Sequence, residues 1–153
     1  MKKQNQGVLG FIKKRNKTLM LYRNKKINDL HKGKWLGIGG GIEVGESPEE
    51  ALSREVKEET GLLVQNAYFR GLAIFVHEKV VWYGYVFLVN RYSGQIQKCK
   101  EGELKWIENN NLCKLNIWPS YEHIFALLEK PNFFTAKFVH SGSKLIDFTI
   151  NKY

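Results

Sequence analysis

GGIEVGESPEEALSREVKEETGL, residues 40–62, sets glycines directly before a run of glutamates at helical spacing. Ser47, Pro48 and Glu50 make a helix start: the serine hydroxyl can cap, proline suits the first helical position, and the glutamate completes a capping box. Gly61 supplies a left-handed stop after Thr60. On that helix Glu55, Glu58 and Glu59 fall at i, i+3 and i+4, so their carboxylates gather on one side. Glu59 also follows Leu52 by seven residues, beside the apolar stripe of Leu52 and Val56 rather than on the wet face. A carboxylate there loses hydration, which calls for a compensating charge. Oxygen-only ligands carrying this much negative charge suit Mg²⁺ or Mn²⁺, not zinc or copper. The plainer alternative is a solvated acidic face on which Glu50 and Arg54 form an ordinary i, i+4 pair.

Gly37, Gly39, Gly40 and Gly41 let the backbone approach a ligand closely and present N–H groups to oxyanions. In isolation such glycines could equally be an irregular loop. A metal held by carboxylates beside that backbone points to hydrolysis of a phosphoanhydride. The cation would neutralise phosphate charge and make hydroxide available near neutral pH.

Written with its offsets, the stretch is Gly40, five residues, Glu46, seven residues, Arg54-Glu55-Val56, one residue, Glu58-Glu59, one residue, Gly61-Leu62. That is the Nudix box without a departure, and its length makes it a specific signal where most short motifs are weak. The similarity continues in Arg23 of LMLYRNKK, in GKWLGIGGGIEVGE, in Glu101 of KEGELKW, in Trp118-Pro119 and in the tail PNFFTAKFVHSGSKLID. From about residue 7 to residue 147 the chain resembles the 8-oxo-dGTP diphosphatase branch of the Nudix hydrolases.

The resemblance implies an α/β fold, an α/β/α sandwich with a mixed sheet flanked by helices. It implies Mg²⁺-dependent cleavage of nucleoside triphosphates to monophosphate and pyrophosphate, with an oxidised purine such as 8-oxo-dGTP as substrate. Position by position, it makes Glu55, Glu58 and Glu59 metal ligands, completed by the Gly40 carbonyl. Arg54 would orient Glu55 by a charge-assisted hydrogen bond, and Glu46 would act through a metal-bound water or from outside the ligand set. Glu101 matches an additional acid from a loop, either a further ligand or the base that deprotonates the attacking water; Glu103 is the second candidate. Arg23 matches a basic contact to the triphosphate, the alternative being a solvated charge at a strand end.

Two departures concern the base. Where an animal member of the branch has an asparagine that bonds the purine, this chain has Leu36. After Trp118-Pro119 the pattern calls for two acids, but Ser120 and Tyr121 stand there, with Glu122 next. Glu122 takes one acid's place if the turn shifts by a residue. Trp118 is either a stacking platform or a packing tryptophan.

The 153 residues suit one domain with a proper core, and 43% hydrophobic with 25% charged residues is ordinary for a folded protein. A net charge of +9 attracts polyanions. The basic residues are scattered, however, in a turn around Lys13–Lys17 and a loop holding Lys25, Lys26, Lys32 and Lys34, so a small nucleotide is preferred to nucleic acid as partner. Cys99 and Cys113 build neither a disulfide framework nor a zinc site, and His31, His77, His123 and His140 have no metal-ligand spacing and read as surface or packing residues. No apolar run is long enough for a signal core or a membrane span, which fits a reducing cytoplasm. The expected assembly is a monomer or a homodimer.

Strands are expected over residues 7–13, 17–23, 64–75, 80–90, 92–97 and 103–108, and a terminal hairpin over 133–140 and 144–150. Residues 24–36 read as a loop at the substrate entrance, followed by the glycine turn; a second helix spans residues 121–130, ended by Pro131. Rival activities are cleavage of a dinucleotide, a nucleotide sugar or a triphosphorylated RNA end. A non-catalytic nucleotide sensor is a rival of another class, opposed by the full set of box glutamates.

Overall fold

The computed structural model describes residues 3–78 and 80–153. The chain runs β1 (Lys3–Lys14), β2 (Lys17–Arg23), β3 (Trp35–Leu36), β4 (Ile38–Gly41), α1 (Pro48–Thr60), β5 (Leu63–His77), β6 (Val80–Ser93), β7 (Gly102–Glu108), a 3₁₀ segment (Asn109–Lys114), α2 (Ser120–Leu128), β8 (Phe134–Ser141) and β9 (Lys144–Lys152).

The middle of β1, residues 7–12, reads as an unbroken run of apolar and glycine residues because both its faces are covered there. Val8 and Ile12 face one side, Leu9 and Phe11 the other. It pairs in parallel with β6 and antiparallel with both β4 and β2. The sheet continues in the order β3-β2-β1-β6-β5-β8-β9, with β7 joined to β2. Parallel pairs (β1–β6, β5–β8) and antiparallel pairs share one mixed sheet.

Each face carries one helix. Ala51, Leu52 and Val56 of α1 pack on Val8, Ile12, Leu19, Leu21 and Phe87. A Cβ on Gly10 would lie 2.7 Å from Leu52 Cδ1, so β1 admits α1 more closely than a side chain there would. On the opposite face Ile124, Phe125 and Leu127 of α2 join Leu9, Phe11, Phe134 and Phe138. This is the expected α/β/α sandwich. Helix α1 starts and stops as its sequence predicts: Ser47 and Glu50 form the capping box, and Gly61 takes φ 82°.

Two local expectations are corrected. The glycine stretch is not a free turn, for Ile38–Gly41 form β4, and Trp35–Leu36 of the preceding loop form β3. Residues 92–97 do not make a separate strand. Tyr92 and Ser93 finish β6, Gly94 turns with φ 90°, and the Gln97 N–H donates to the Thr60 carbonyl. The segment therefore wraps the C-terminal end of α1 instead of pairing in the sheet.

Candidate active site

A cavity of about 480 Å³ opens where β1, β4, α1, the 24–34 loop and the ends of β5, β6 and β8 meet. Its lining holds two chemically distinct groups of side chains.

The first group is charged. Helix α1 brings Glu55 and Glu59 to the cavity, and Glu101 enters from the turn before β7. Beside Glu55, Arg54 is held by a fork on Glu46, Nε to Oε2 at 2.7 Å and Nη2 to Oε1 at 2.9 Å. Its Nη1 donates to Glu55 Oε1 at 2.9 Å and reaches Glu58 Oε2 at 3.4 Å, while Nη2 also donates to the Gly41 carbonyl at 2.8 Å. Arg54 thus ties Glu46 and, at 3.8 Å, Glu43 of the loop after β4 to Glu55 and Glu58 of its own helix. The alternative pairing with Glu50 does not form, because Glu50 caps Ser47.

Glu59 is 8% exposed, and its Oε2 accepts the Gly39 N–H at 3.0 Å. That contact needs glycine: a Cβ on Gly39 would sit 1.9 Å from the Val8 carbonyl oxygen. Burial, then the charges of Glu101 and Glu55, push the Glu59 carboxyl up to about 9. Burial also raises Glu55, partly offset by Arg54. Burial opposes the Glu101 charge as well, but Lys26 and Arg23, each with a nitrogen at 3.0 Å, outweigh it and hold that carboxyl below its usual range. Arg23 is further fixed by Asp29 at 2.9 Å.

Among the described residues, no three of His, Cys, Asp and Glu are arranged as a closed metal-ligand set. The carboxylates are instead paired with cations and with each other: Arg54 bridges Glu55 and Glu58, and Glu101 meets Arg23 and Lys26 while remaining against Glu59. The donor chemistry nonetheless fits a hard divalent ion. A buried carboxyl driven this far up is starved of positive charge. A Cβ on Gly40 would lie 2.6 Å from the Glu55 carboxyl carbon, so glycine leaves the space beside that carboxylate free. Glu58 lies outside the lining with its side chain 59% exposed, at the rim. Glu103 is exposed on β7 and is not part of the cavity.

The second group is aromatic: Phe75, His77, Trp82, Trp118, Tyr121 and His140, with Leu36 beside them. Trp118 is 7% exposed and donates from Nε1 to His31 Nδ1 at 2.8 Å, while Lys34 lies 4.7 Å from its ring centre. Glu122 does not line the cavity. The Tyr121 and Glu122 amides already bond back to Trp118 and Pro119, so the helical turn does not shift by a residue. Tyr121 takes the cavity side and Glu122 points outward into solvent. Three of the four histidines read as surface or packing residues line the cavity; the fourth, His123, stacks on Phe138 and Phe148. Trp82, Lys26 and these histidines were not foreseen. One signal for Trp82 was present, in two glycines on apolar strands, Gly7 and Gly84, that become register partners beneath it.

A family model described as the NUDIX domain matches residues 1–128. The chain is 35% identical over 131 residues to the 8-oxo-dGTP diphosphatase of Buchnera aphidicola subsp. Schizaphis graminum, covering 83% of this chain and 95% of that protein. It is 30% identical over 121 residues to the uncharacterised Nudix hydrolase YvcI of Bacillus subtilis, covering 75% and 73% of the two chains. Among solved structures, a MutT protein from Bacillus halodurans shares the fold at TM-score 0.86 and 22% identity, over 96% of this chain and 97% of that one. An intact box on a capped helix and a family match over most of the chain agree, and the protein belongs to the Nudix hydrolases, enzymes of phosphoanhydride cleavage.

Proposed function

We propose that this enzyme cleaves nucleoside triphosphates to monophosphate and pyrophosphate with Mg²⁺ as cofactor, acting in the cytoplasm on an oxidised purine nucleotide of the 8-oxo-dGTP kind. The observation that carries the reading is Glu59, a buried carboxyl pushed up to about 9 inside a cavity that also has an aromatic wall. One part of such a site asks for a cation, and the other has room for a base. The name of the Buchnera relative supports the choice of oxidised guanine.

In this reading Glu55, Glu58 and Glu59 hold the ion together with the Gly40 carbonyl. When bound, it supplies charge neutralisation at the anhydride and a lowered pKa for the attacking water. Arg54 keeps Glu55 and Glu46 oriented through its fork. Arg23 and Lys26 are the cations that reach the phosphates; their present partner, Glu101, is then released to act as ligand or base. Leu36, Gly39 and Trp118 shape the substrate side.

A second reading, another nucleoside diphosphate-linked substrate, is favoured by one observation. Among the described residues no acid lines the aromatic group, since Glu122 faces outward and Leu36 is aliphatic. Steady-state hydrolysis of a panel separates the two: 8-oxo-dGTP, dGTP, dATP, a dinucleotide, a nucleotide sugar and a triphosphorylated RNA, each with Mg²⁺ and with excess chelator. Preference for 8-oxo-dGTP supports the first reading, and preference for an RNA end or a dinucleotide displaces it. Glu58→Gln is expected to lower turnover by roughly a thousandfold at unchanged fold; full activity in that variant would remove the metal assignment.

A further inference from the structure

The aromatic group holds none of the side chains assigned above to the ion or the phosphates, and one of its atoms lacks a partner. Among the described residues, two buried side-chain polar atoms make no hydrogen bond, Ser120 Oγ and His140 Nε2. Of these residues only His140 lines the cavity, where it is 5% exposed. Buried imidazole nitrogens are rarely left unbonded, because water has been given up with nothing in return. The cavity can bring a partner to it, water in the free protein and a polar group of the ligand in the complex.

The neighbouring imidazoles have assignable protons. His31 Nδ1 accepts from Trp118 Nε1 at 2.8 Å, so a neutral His31 carries its proton on Nε2. His77 Nε2 lies 2.8 Å from the Gly142 carbonyl, which only accepts, so Nδ1 of a neutral His77 is left as an acceptor. His31, His77 and His140 all stand edge-on to Trp118, at 5.8, 5.7 and 5.4 Å between ring centres. With Lys34 also against it, Trp118 is a wall already in use.

Trp82 is different. A Cβ on Gly7 would lie 2.2 Å from its Cζ2, and a Cβ on Gly84 2.6 Å from its Cζ3. The indole therefore lies across two glycines that face each other between β1 and β6. It is only half-buried and lines the cavity, so one seated ring remains able to stack.

We propose that the aromatic group is a nucleobase subsite in which Trp82 supplies the stacking face and His140 Nε2 the hydrogen bond that reads the base edge. The proposal rests on the nucleoside triphosphate reading above. The acids of the cavity lining, Glu55, Glu59 and Glu101, all belong to the charged group. A pair of carboxylates only accepts and suits an edge of two donors. Neutral imidazoles offer donors and an acceptor together, which suits a lactam edge, a carbonyl beside a ring N–H. Guanine, its oxidised form and thymine present one; adenine does not.

The test compares kcat and KM for 8-oxo-dGTP, dGTP, dTTP and dATP in the parent, His140→Phe and His140→Gln, all with Mg²⁺. His140→Phe is expected to lose about tenfold in kcat/KM for the lactam bases relative to dATP, mainly through KM. His140→Gln, which keeps a donor and an acceptor, recovers most of it. Ratios among the bases that stay within about twofold in His140→Phe overturn the assignment. If the parent cleaves none of the four, the underlying reading fails instead. A second measurement needs no variant: imidazole nitrogen resonances of the parent are followed by NMR while dGMP and Mg²⁺ are added. The His140 signal is expected to move, with His123, packed on Phe138 and Phe148, as the unmoved control. A stationary His140 signal in saturated protein also overturns the proposal.

Discussion

Glu59→Gln separates what the site does from what it costs the fold. Glu59 is buried and its carboxyl is pushed up to about 9, first by burial and then by Glu101 and Glu55. Its ordinary value is 4.5, so between those two pH values the unfolded chain has released a proton that the folded chain keeps. The metal-free protein therefore loses stability as pH rises through that window, by about 1.4 kcal/mol per unit of pH. At pH 7 the loss amounts to about 3 kcal/mol. Glutamine cannot ionise, and it retains an oxygen for the Gly39 N–H that Glu59 accepts at 3.0 Å. In excess chelator at pH 7 the variant is expected to melt about 10 °C above the parent, since each kcal/mol moves a domain of this size by a few degrees. Thermal melts across the range from pH 4.5 to pH 8 should show the gap near zero at the acid end and widest at the alkaline end. Added Mg²⁺ should stabilise the parent more than the variant, because a ligand raises stability only where the native state binds it. A variant that melts at or below the parent at pH 8 in chelator, or a gap indifferent to pH, refutes the reasoning.

Three further perturbations probe the surroundings. Gly39→Ala places a Cβ 1.9 Å from the Val8 carbonyl, inside the β1–β4 pairing, and displaces the N–H that holds Glu59; denaturant unfolding should register a loss of about 2–4 kcal/mol. Arg54→Lys keeps the charge but not the fork on Glu46, 2.7 and 2.9 Å in the parent, so kcat should fall by about 10- to 100-fold, and undiminished turnover would deny Arg54 its orienting role. Glu122→Gln lies on the outer side of α2, and kcat/KM should stay within about twofold for every nucleotide tried; a base-dependent change would return Glu122 to the site.

The part of the site legible from periodicity alone is the part whose geometry is local, whereas Arg23, Leu36, Glu101 and Trp118, which also line the cavity, were reached through the family resemblance. The capping box, the Glu55, Glu58 and Glu59 row, and the burial of Glu59 all follow from helical periodicity within α1, and the order of strands and helices follows from apolar patterning. What escaped is made by sheet register. His77 and His140 lie far apart in sequence and face each other only because β5 and β8 pair in parallel. Gly7 and Gly84 seat Trp82 only because β1 and β6 pair in parallel. Periodicity cannot report such meetings, since it is blind to which strand lies beside which. Strand propensity misled twice as well. Four residues that include three glycines became β4 because β1 offered them a buried partner, while residues 94–97 left the sheet to bond the end of α1. The two failures share a cause, for in each a long-range backbone partner overrode the local preference. This division has a chemical origin. Carboxylates that are to share an ion need fixed mutual spacing, which one helix provides over a few residues. A base wall needs only shape and a few polar atoms, which strand ends from distant parts of the chain supply. On the proposed reading the helix-borne metal ligands are written compactly in α1, whereas a preference among bases would be spread over β1, β5, β6 and β8, where a single change such as His140→Phe is expected to alter it without touching the box.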